Sequence, residues 1–219
     1  MTLVKRLWLT VILTLACLLA VMLLSSQQLW SLRADFEHVV AIPAGILPAH
    51  ARRVLYFPGS TIGNFTRPDA QAFLRHAREL AGAGGAMLVG VDLKKDPARL
   101  HAAYNDAQGV TAAFNLNLLT RINHELGGDF DVAAFEHHAF YDPVEGRIEM
   151  HLRSLREQRV RIADQIFTFA RGETIHTENS CKYSVEEFAQ LARAAGFTPE
   201  HCWRDPENLF SVHYLTVAA

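Results

Sequence analysis

The chain has 219 residues, 50% hydrophobic, 20% charged and 10% aromatic, which suffices for one or two packed domains and excludes disorder, collagen and a small disulfide scaffold. Lys plus Arg number 21 against 23 Asp plus Glu, so no basic field argues for a nucleic-acid partner. The charge is unevenly placed: residues 1–34 hold Lys5, Arg6 and Arg33 with no acid, and the remainder is acidic.

From Leu7 to Leu24 the sequence LWLTVILTLACLLAVMLL carries no charge. At ~1.5 Å per residue it covers ~27 Å, close to the ~30 Å hydrocarbon core of a bilayer. The run is longer than a signal-peptide core, and Ser25-Ser26-Gln27-Gln28 offers no small-x-small cleavage site, so residues 1–33 read as an uncleaved transmembrane helix. Lys5 and Arg6 on its short flank place the N-terminus in the cytoplasm and the body outside. Cys17, Cys181 and Cys202 are an odd number without a C-x-x-C, which indicates neither a disulfide framework nor a zinc knuckle.

The body opens with Arg53 to Phe57, a short run of strand formers closed by Pro58-Gly59. Arg67 to Ala81 follows as a helix, with Thr66 as N-cap, Pro68 in the first turn, and Phe73, Leu74, Ala77 and Leu80 on one face. Ala86 to Val91 is a second, wholly apolar strand, and strand, helix and strand at this spacing predict a parallel crossover. Asp96-Pro97 begins a long helix to about Leu126, with Leu100, Tyr104, Ala107, Phe114, Leu118 and Ile122 on its face and Gly127-Gly128 at its end. Beyond Asp131 the periodicity shortens to that of antiparallel hairpins: AAFEHHAFYD, RIEMHLRSL, QRVRI and QIFTFA. Ser184 to Ala195 is a capped helix stopped by Gly196, and Glu200 to Trp203 and Leu209 to Val217 are closing strands.

In open parallel sheets ligands sit beyond the carboxyl ends of the strands. Gly59-Ser60-Thr61-Ile62-Gly63-Asn64 occupies such a place; its glycines permit close backbone approach, and Asn64 offers donor and acceptor to a zwitterion. The alternative is a loop that merely caps the next helix.

The segments YFPGSTIGNF (56–65), GVDLKKDP (90–97), AYNDAQGVTAAFNLNLL (103–119), RIEMHL (147–152) and GETIHTENSCKY (172–183) resemble, in order, those of the S-adenosylmethionine-dependent histidine N-alpha-methyltransferases of ergothioneine synthesis. The resemblance runs from about Ala34 to Tyr214 and implies conversion of L-histidine to its trimethyl betaine, hercynine, with S-adenosylmethionine as methyl donor. It implies that Asn64 and Tyr104 hold the amino and carboxylate end of the substrate, that Glu178, Ser180 and Met150 form the imidazole pocket, and that Asp35 and Phe36, with Gly59 and Ser60, contact the donor. Tyr104 and Met150 read equally as core and Ser180 as a surface hydroxyl. Glu178, in a polar HTENS run, is suited to accept an imidazole N–H.

The expected fold is therefore α/β: an incomplete Rossmann-like class I methyltransferase sheet with a strand-rich substrate-binding cap, preceded by one transmembrane helix. Its parts are an anchor (1–33), a partial methyltransferase core (34–95), a histidine-binding cap (96–182) and a return to the core (183–219). A Gly-rich turn after a first strand, expected for the donor, is missing before Asp35, and Gly82-Ala83-Gly84-Gly85 lies between helix and strand, the wrong order for such a turn. That predicts a sheet with an unpaired edge, weak or absent catalysis by this chain alone, and a separate N-terminal half as a candidate partner.

Other classes fit less well. His176-x-Glu178 with Cys181 lacks the P-C-x-x-C of zinc deaminases, His137 and His138 would face opposite sides of a strand, and Gly59-Ser60-Thr61 is no nucleophile elbow for a Ser60 hydrolase. A membrane-tethered, non-catalytic amino-acid-binding remnant is the main alternative; it predicts binding without methyl transfer.

Overall fold

The computed structural model describes residues 52–219, together with the backbone of two short strands, β1 (Leu23–Ser25) and β2 (Gln28–Trp30), which pair antiparallel. Most of the apolar run 7–24, and Asp35 and Phe36, lie outside the described residues. Leu23 and Leu24 fall in β1, so the end of that run departs from the expected helix, and among the described residues no helix is long and apolar enough to cross a membrane.

The chain divides into two compact units, one of residues 1–94 and 181–219 and the other of residues 95–180. The first contains β3 (Val54–Phe57), α1 (Arg67–Ala81) and β4 (Ala86–Asp92). Near the C-terminus it adds α4 (Val185–Ala194), β10 (Thr198–Arg204) and β11 (Phe210–Thr216). Its sheet runs β10-β11-β4-β3; β3 and β4 are parallel, as their crossover predicts, and β11 is antiparallel to both neighbours. Among the described residues β3 has no strand on its far side.

Local chemistry explains the two helices of this unit. Thr66 accepts from the Asp69 amide, Pro68 sits in the first turn, and Ala70, Leu74, Ala77 and Leu80 are buried, the 3.6-residue stripe read from the sequence. Ser184 and Glu187 form a reciprocal capping box on α4, which buries Phe188, Ala189 and Ala192. One core joins these stripes to Leu55, Phe57, Met87, Val89, Val91 and Leu215.

The same unit buries two polar groups of consequence. Lys182 is fully buried, and its Nζ lies 2.7 Å from Asp92 Oδ2 at the carboxyl end of β4. A parallel bridge between Leu93 and Tyr183 fastens the same place, with Lys94 N donating to Tyr183 O. His213, 1% exposed, packs its ring 4.7 Å from that of Phe188 and has Ser211 Oγ 2.9 Å from Nε2. Burial pushes its pKa down to about 4.

The second unit holds α2 (Pro97–Tyr104), α3 (Val110–Leu126), β5 (Phe135–Asp142) and β6 (Arg147–Ser154). It continues with β7 (Gln158–Ile162), β8 (Gln165–Phe169) and β9 (Thr174–Cys181), whose last residue belongs to the first unit. A sheet β5-β6-β9 and a separate β7-β8 hairpin account for the short-period stretches.

The single helix expected from Asp96 to Leu126 is two. The break falls at Asn105–Gly109, where Asp106 accepts from the amides of Val110 and Thr111 and Gly109 takes a left-handed φ of 71°. The cap restarts the helical register, so α3 buries Asn115, Leu119 and Ile122, while Phe114, expected on the inner face, is 48% exposed. Gly127 ends the helix in the left-handed conformation that the Gly-Gly signal predicts.

Candidate functional site

In the first unit the turn after β3 is held by two close backbone approaches. Gly59 has φ +67°, and a Cβ at Gly90, in the middle of β4, would lie 2.1 Å from Gly59 O; only a glycine at position 90 leaves room for the turn. Thr61–Asn64 then forms a single 3-10 turn, closed by Gly63 N donating to Ser60 O at 2.8 Å. A Cβ at Gly63 would lie 2.9 Å from Cys181 O, and the Cys181 thiol donates to Phe65 O at 3.2 Å. Gly59, Ser60 and half-buried Asn64 thus share one turn whose path is fixed from both sides. The sequence reading named that turn but missed Gly90 and Cys181, which set its position.

In the second unit Tyr104, the last residue of α2, donates its hydroxyl to Ser180 Oγ at 2.7 Å. Its ring packs against the buried cluster of Leu100, Ala139, Ile148 and Met150. Ser180 is 4% exposed, so the reading of it as a surface hydroxyl is corrected. Tyr104, Met150 and Ser180, far apart in the chain, are brought together, and Glu178 lies two residues before Ser180 on β9.

Tyr104 is also held through its backbone. His137 Nε2 donates to Tyr104 O at 2.8 Å, so Nδ1 of the neutral ring is the acceptor for Asn115 Nδ2 at 3.0 Å. The same Nδ2 donates to His151 O at 3.1 Å; the reversed amide would set an oxygen against two acceptors. Asn105 Nδ2 donates to Ala139 O at 3.1 Å and so ties the helix break to β5. Neither Asn115 nor His137 was singled out as a positioning residue. The available signal was an Asn at the i position of the stripe completed by Leu119 and Ile122.

The opposite side of the same sheet is polar and aromatic. Arg147 donates Nε and Nη2 to Glu149 Oε1 at 2.9 and 2.6 Å, and Glu149 Oε2 accepts from His151 Nε2 at 2.9 Å. His151 Nδ1 lies 3.2 Å from Thr174 Oγ1, and His176 Nε2 donates to Glu178 O at 3.1 Å. The rings of His151 and His176 stack at 4.5 Å, and Phe140 lies 5.4 Å from His151 on its other side. Burial holds the His151 imidazole below its usual range, with the Glu149 hydrogen bond opposing. Burial works against ionisation of Glu149, but hydrogen bonds from His151 and Arg147 outweigh it and leave its carboxyl below the ordinary range.

Strand β9 touches both of these groups. Thr174 and His176 meet His151, which alternates with Met150, whereas Ser180 meets Tyr104 on the side of Met150.

The family model described as "Histidine-specific methyltransferase, SAM-dependent" matches residues 20–217. A histidine N-alpha-methyltransferase of Mycolicibacterium smegmatis is 45% identical over 180 residues, covering 81% of this chain and 55% of the relative. One of Mycobacterium tuberculosis is 41% identical over 191 residues, covering 86% and 58%. An ergothioneine biosynthesis protein 1 of Neurospora crassa is 35% identical over 171 residues, covering 72% and 18%. The chain spans rather more than half the length of the first two of these relatives. With a family match across nearly all of its described residues, the chain belongs to the histidine-specific, S-adenosylmethionine-dependent methyltransferases.

Proposed function

We propose that this chain serves methyl transfer from S-adenosylmethionine to the α-amine of L-histidine, yielding the trimethyl betaine, with residues 96–182 as the histidine-binding part and 34–95 and 183–219 as the methyltransferase core. The observation that carries the reading is the 2.7 Å hydrogen bond from Tyr104 to Ser180, which joins two residues that the family pattern assigns to the substrate and sets them beside Met150. In this reading Ser180 and the Glu178 carboxylate take the imidazole N–H groups, a charge-assisted recognition of the ring. Tyr104 serves the amino-acid end, and its ring face is suited to the cationic ammonium that builds up over successive methylations. Asn64 is assigned to the polar end of the substrate on the sequence resemblance.

For the donor, the turn at Gly59 and Ser60 fits a nucleoside approach on one side: it lies at the carboxyl ends of two parallel strands, and the glycine contact with Gly90 keeps it flat against the sheet. Gly59 and Ser60 would hold the donor there, with Asp35 and Phe36 assigned to it by resemblance. When bound, the donor supplies a sulfonium-activated methyl group. The protein's own residues need contribute no nucleophile; they hold the neutral amine in line, an orientation worth roughly 7 to 11 kcal/mol in favourable cases.

The apolar run 7–24, whose last two residues fall in β1, is proposed as a membrane-spanning segment on its apolarity and length in sequence alone; resistance to alkaline carbonate extraction supports it, and release into the supernatant refutes it. The function is tested by incubating the full chain with methyl-labelled S-adenosylmethionine and L-histidine and following products by mass spectrometry. Labelled mono-, di- or trimethylhistidine supports methyl transfer by this chain. Histidine binding without any labelled product assigns it a binding role alone.

A further inference from the structure

One nitrogen from each of His151 and His176 and one oxygen of Glu149 lie within 4.8 Å of one another on the face of the β5-β6-β9 sheet opposite Met150. Two imidazoles and a carboxylate are the donor set of a borderline first-row ion, and each of the three already has the outer partner that a ligand of such an ion requires. His176 donates Nε2–H to Glu178 O, which leaves the lone pair on Nδ1. Thr174 Oγ1 stands at His151 Nδ1, placed to accept a hydrogen bond from Nδ1–H once Nε2 carries the ion. Arg147 occupies Glu149 Oε1 and leaves Oε2 facing His151. Glu149 and His151 are each 12% exposed at the side chain, so the pair is shielded without being sealed.

We propose that Glu149 Oε2, His151 Nε2 and His176 Nδ1 bind one divalent first-row cation of the Ni2+ or Cu2+ type, stapling β6 to β9 behind the Tyr104–Ser180 pair. The present 2.9 Å between Glu149 Oε2 and His151 Nε2 would subtend about 90° at bonds of about 2.0–2.1 Å, whereas tetrahedral zinc at about 109° needs roughly 3.3 Å. The short separation therefore favours a tetragonal or octahedral ion. The imidazoles stack within 12° of parallel, so binding tilts His176 until its Nδ1 points at the ion. As the ion takes the Nε2 lone pair, the single ring proton of neutral His151 moves from Nε2 to Nδ1 by exchange with water, so the imidazole binds as a neutral ligand and no net proton is released. The inference rests on these side chains alone and stands apart from methyl transfer.

The test is Ni2+ titration of the untagged, metal-stripped full chain in detergent by calorimetry, alongside E149Q and H176Q. One equivalent bound by wild type, at least about tenfold more tightly than by either variant, and a rise in melting temperature that the variants lack support the site. Equal binding by wild type and both variants, or no thermal shift, overturns it. Should a variant fail to fold, electron paramagnetic resonance of wild type with one equivalent of Cu2+ decides: coupling to two imidazole nitrogens supports the site, and coupling to one or none overturns it.

Discussion

Replacing Asp92 and replacing Lys182 should have unequal effects, because the two ends of their ion pair sit in different surroundings. The Lys182 side chain is fully buried, whereas that of Asp92 is 17% exposed, and the charges meet at 2.7 Å. In D92A the buried lysine loses this carboxylate inside the first unit's core, and removing one partner of a buried ion pair costs about 3–5 kcal/mol. In K182M the apolar stem keeps its packing and the carboxylate left behind can reach water, so the cost should be about 1–2 kcal/mol. The difference, about 2 kcal/mol, is roughly a thirtyfold change in the unfolding constant. Urea titrations of the three proteins by circular dichroism, with amide exchange at Leu93 and Lys94 marking the first unit, would read it. Equal losses in both variants, or a larger loss in K182M, would refute the claim that desolvation of the lysine dominates.

Gly90→Ala should destabilise the first unit by about 1–3 kcal/mol and raise amide exchange at Gly63, since the new methyl would lie 2.1 Å from Gly59 O; unchanged exchange would mean the turn is not held there. His213 has a folded pKa of about 4 against 6.5 unfolded. The neutral ring is therefore favoured on folding, and its contribution is present above pH 6.5 and lost as the pH falls toward 4, about 2 kcal/mol of it by pH 5. H213Q should accordingly lose less stability than wild type between pH 7 and pH 5 in urea titrations, and an identical loss would contradict the assignment. Asn115→Ala removes the donor to both His137 and His151 O and should cost about 1–3 kcal/mol in the second unit while weakening histidine binding through Tyr104. A loss of stability with unchanged affinity would confine Asn115 to the core.

Much of this architecture is local and was legible. Thr66-Arg67-Pro68 starts α1 where an N-cap and a first-turn proline belong, and Ser184 with Glu187 writes the capping box of α4 directly. What escaped depends on tertiary partners. Leu100 and Ile122 share a helical period, but Asp106 captures the amides of Val110 and Thr111 and resets the register between them. β9 was not read as a strand because the polar HTENS run gives no alternation; it is stabilised by contacts to Tyr104 and to His151. Ser180 shows the same limit: its burial follows from a tyrosine 76 residues earlier. The Glu149–His151–His176 group was invisible because its members sit on two strands with no motif spacing between them.

The central claim, that the Tyr104–Ser180 pair belongs to a histidine site, is tested most directly by calorimetric titration of L-histidine into the full chain and into S180A, with fold checked by circular dichroism. The account predicts saturable one-to-one binding by wild type, weakened about tenfold or more in S180A as a buried hydrogen-bonding partner is lost. Absence of histidine binding by a folded wild-type chain, or equal affinity in S180A, would contradict it.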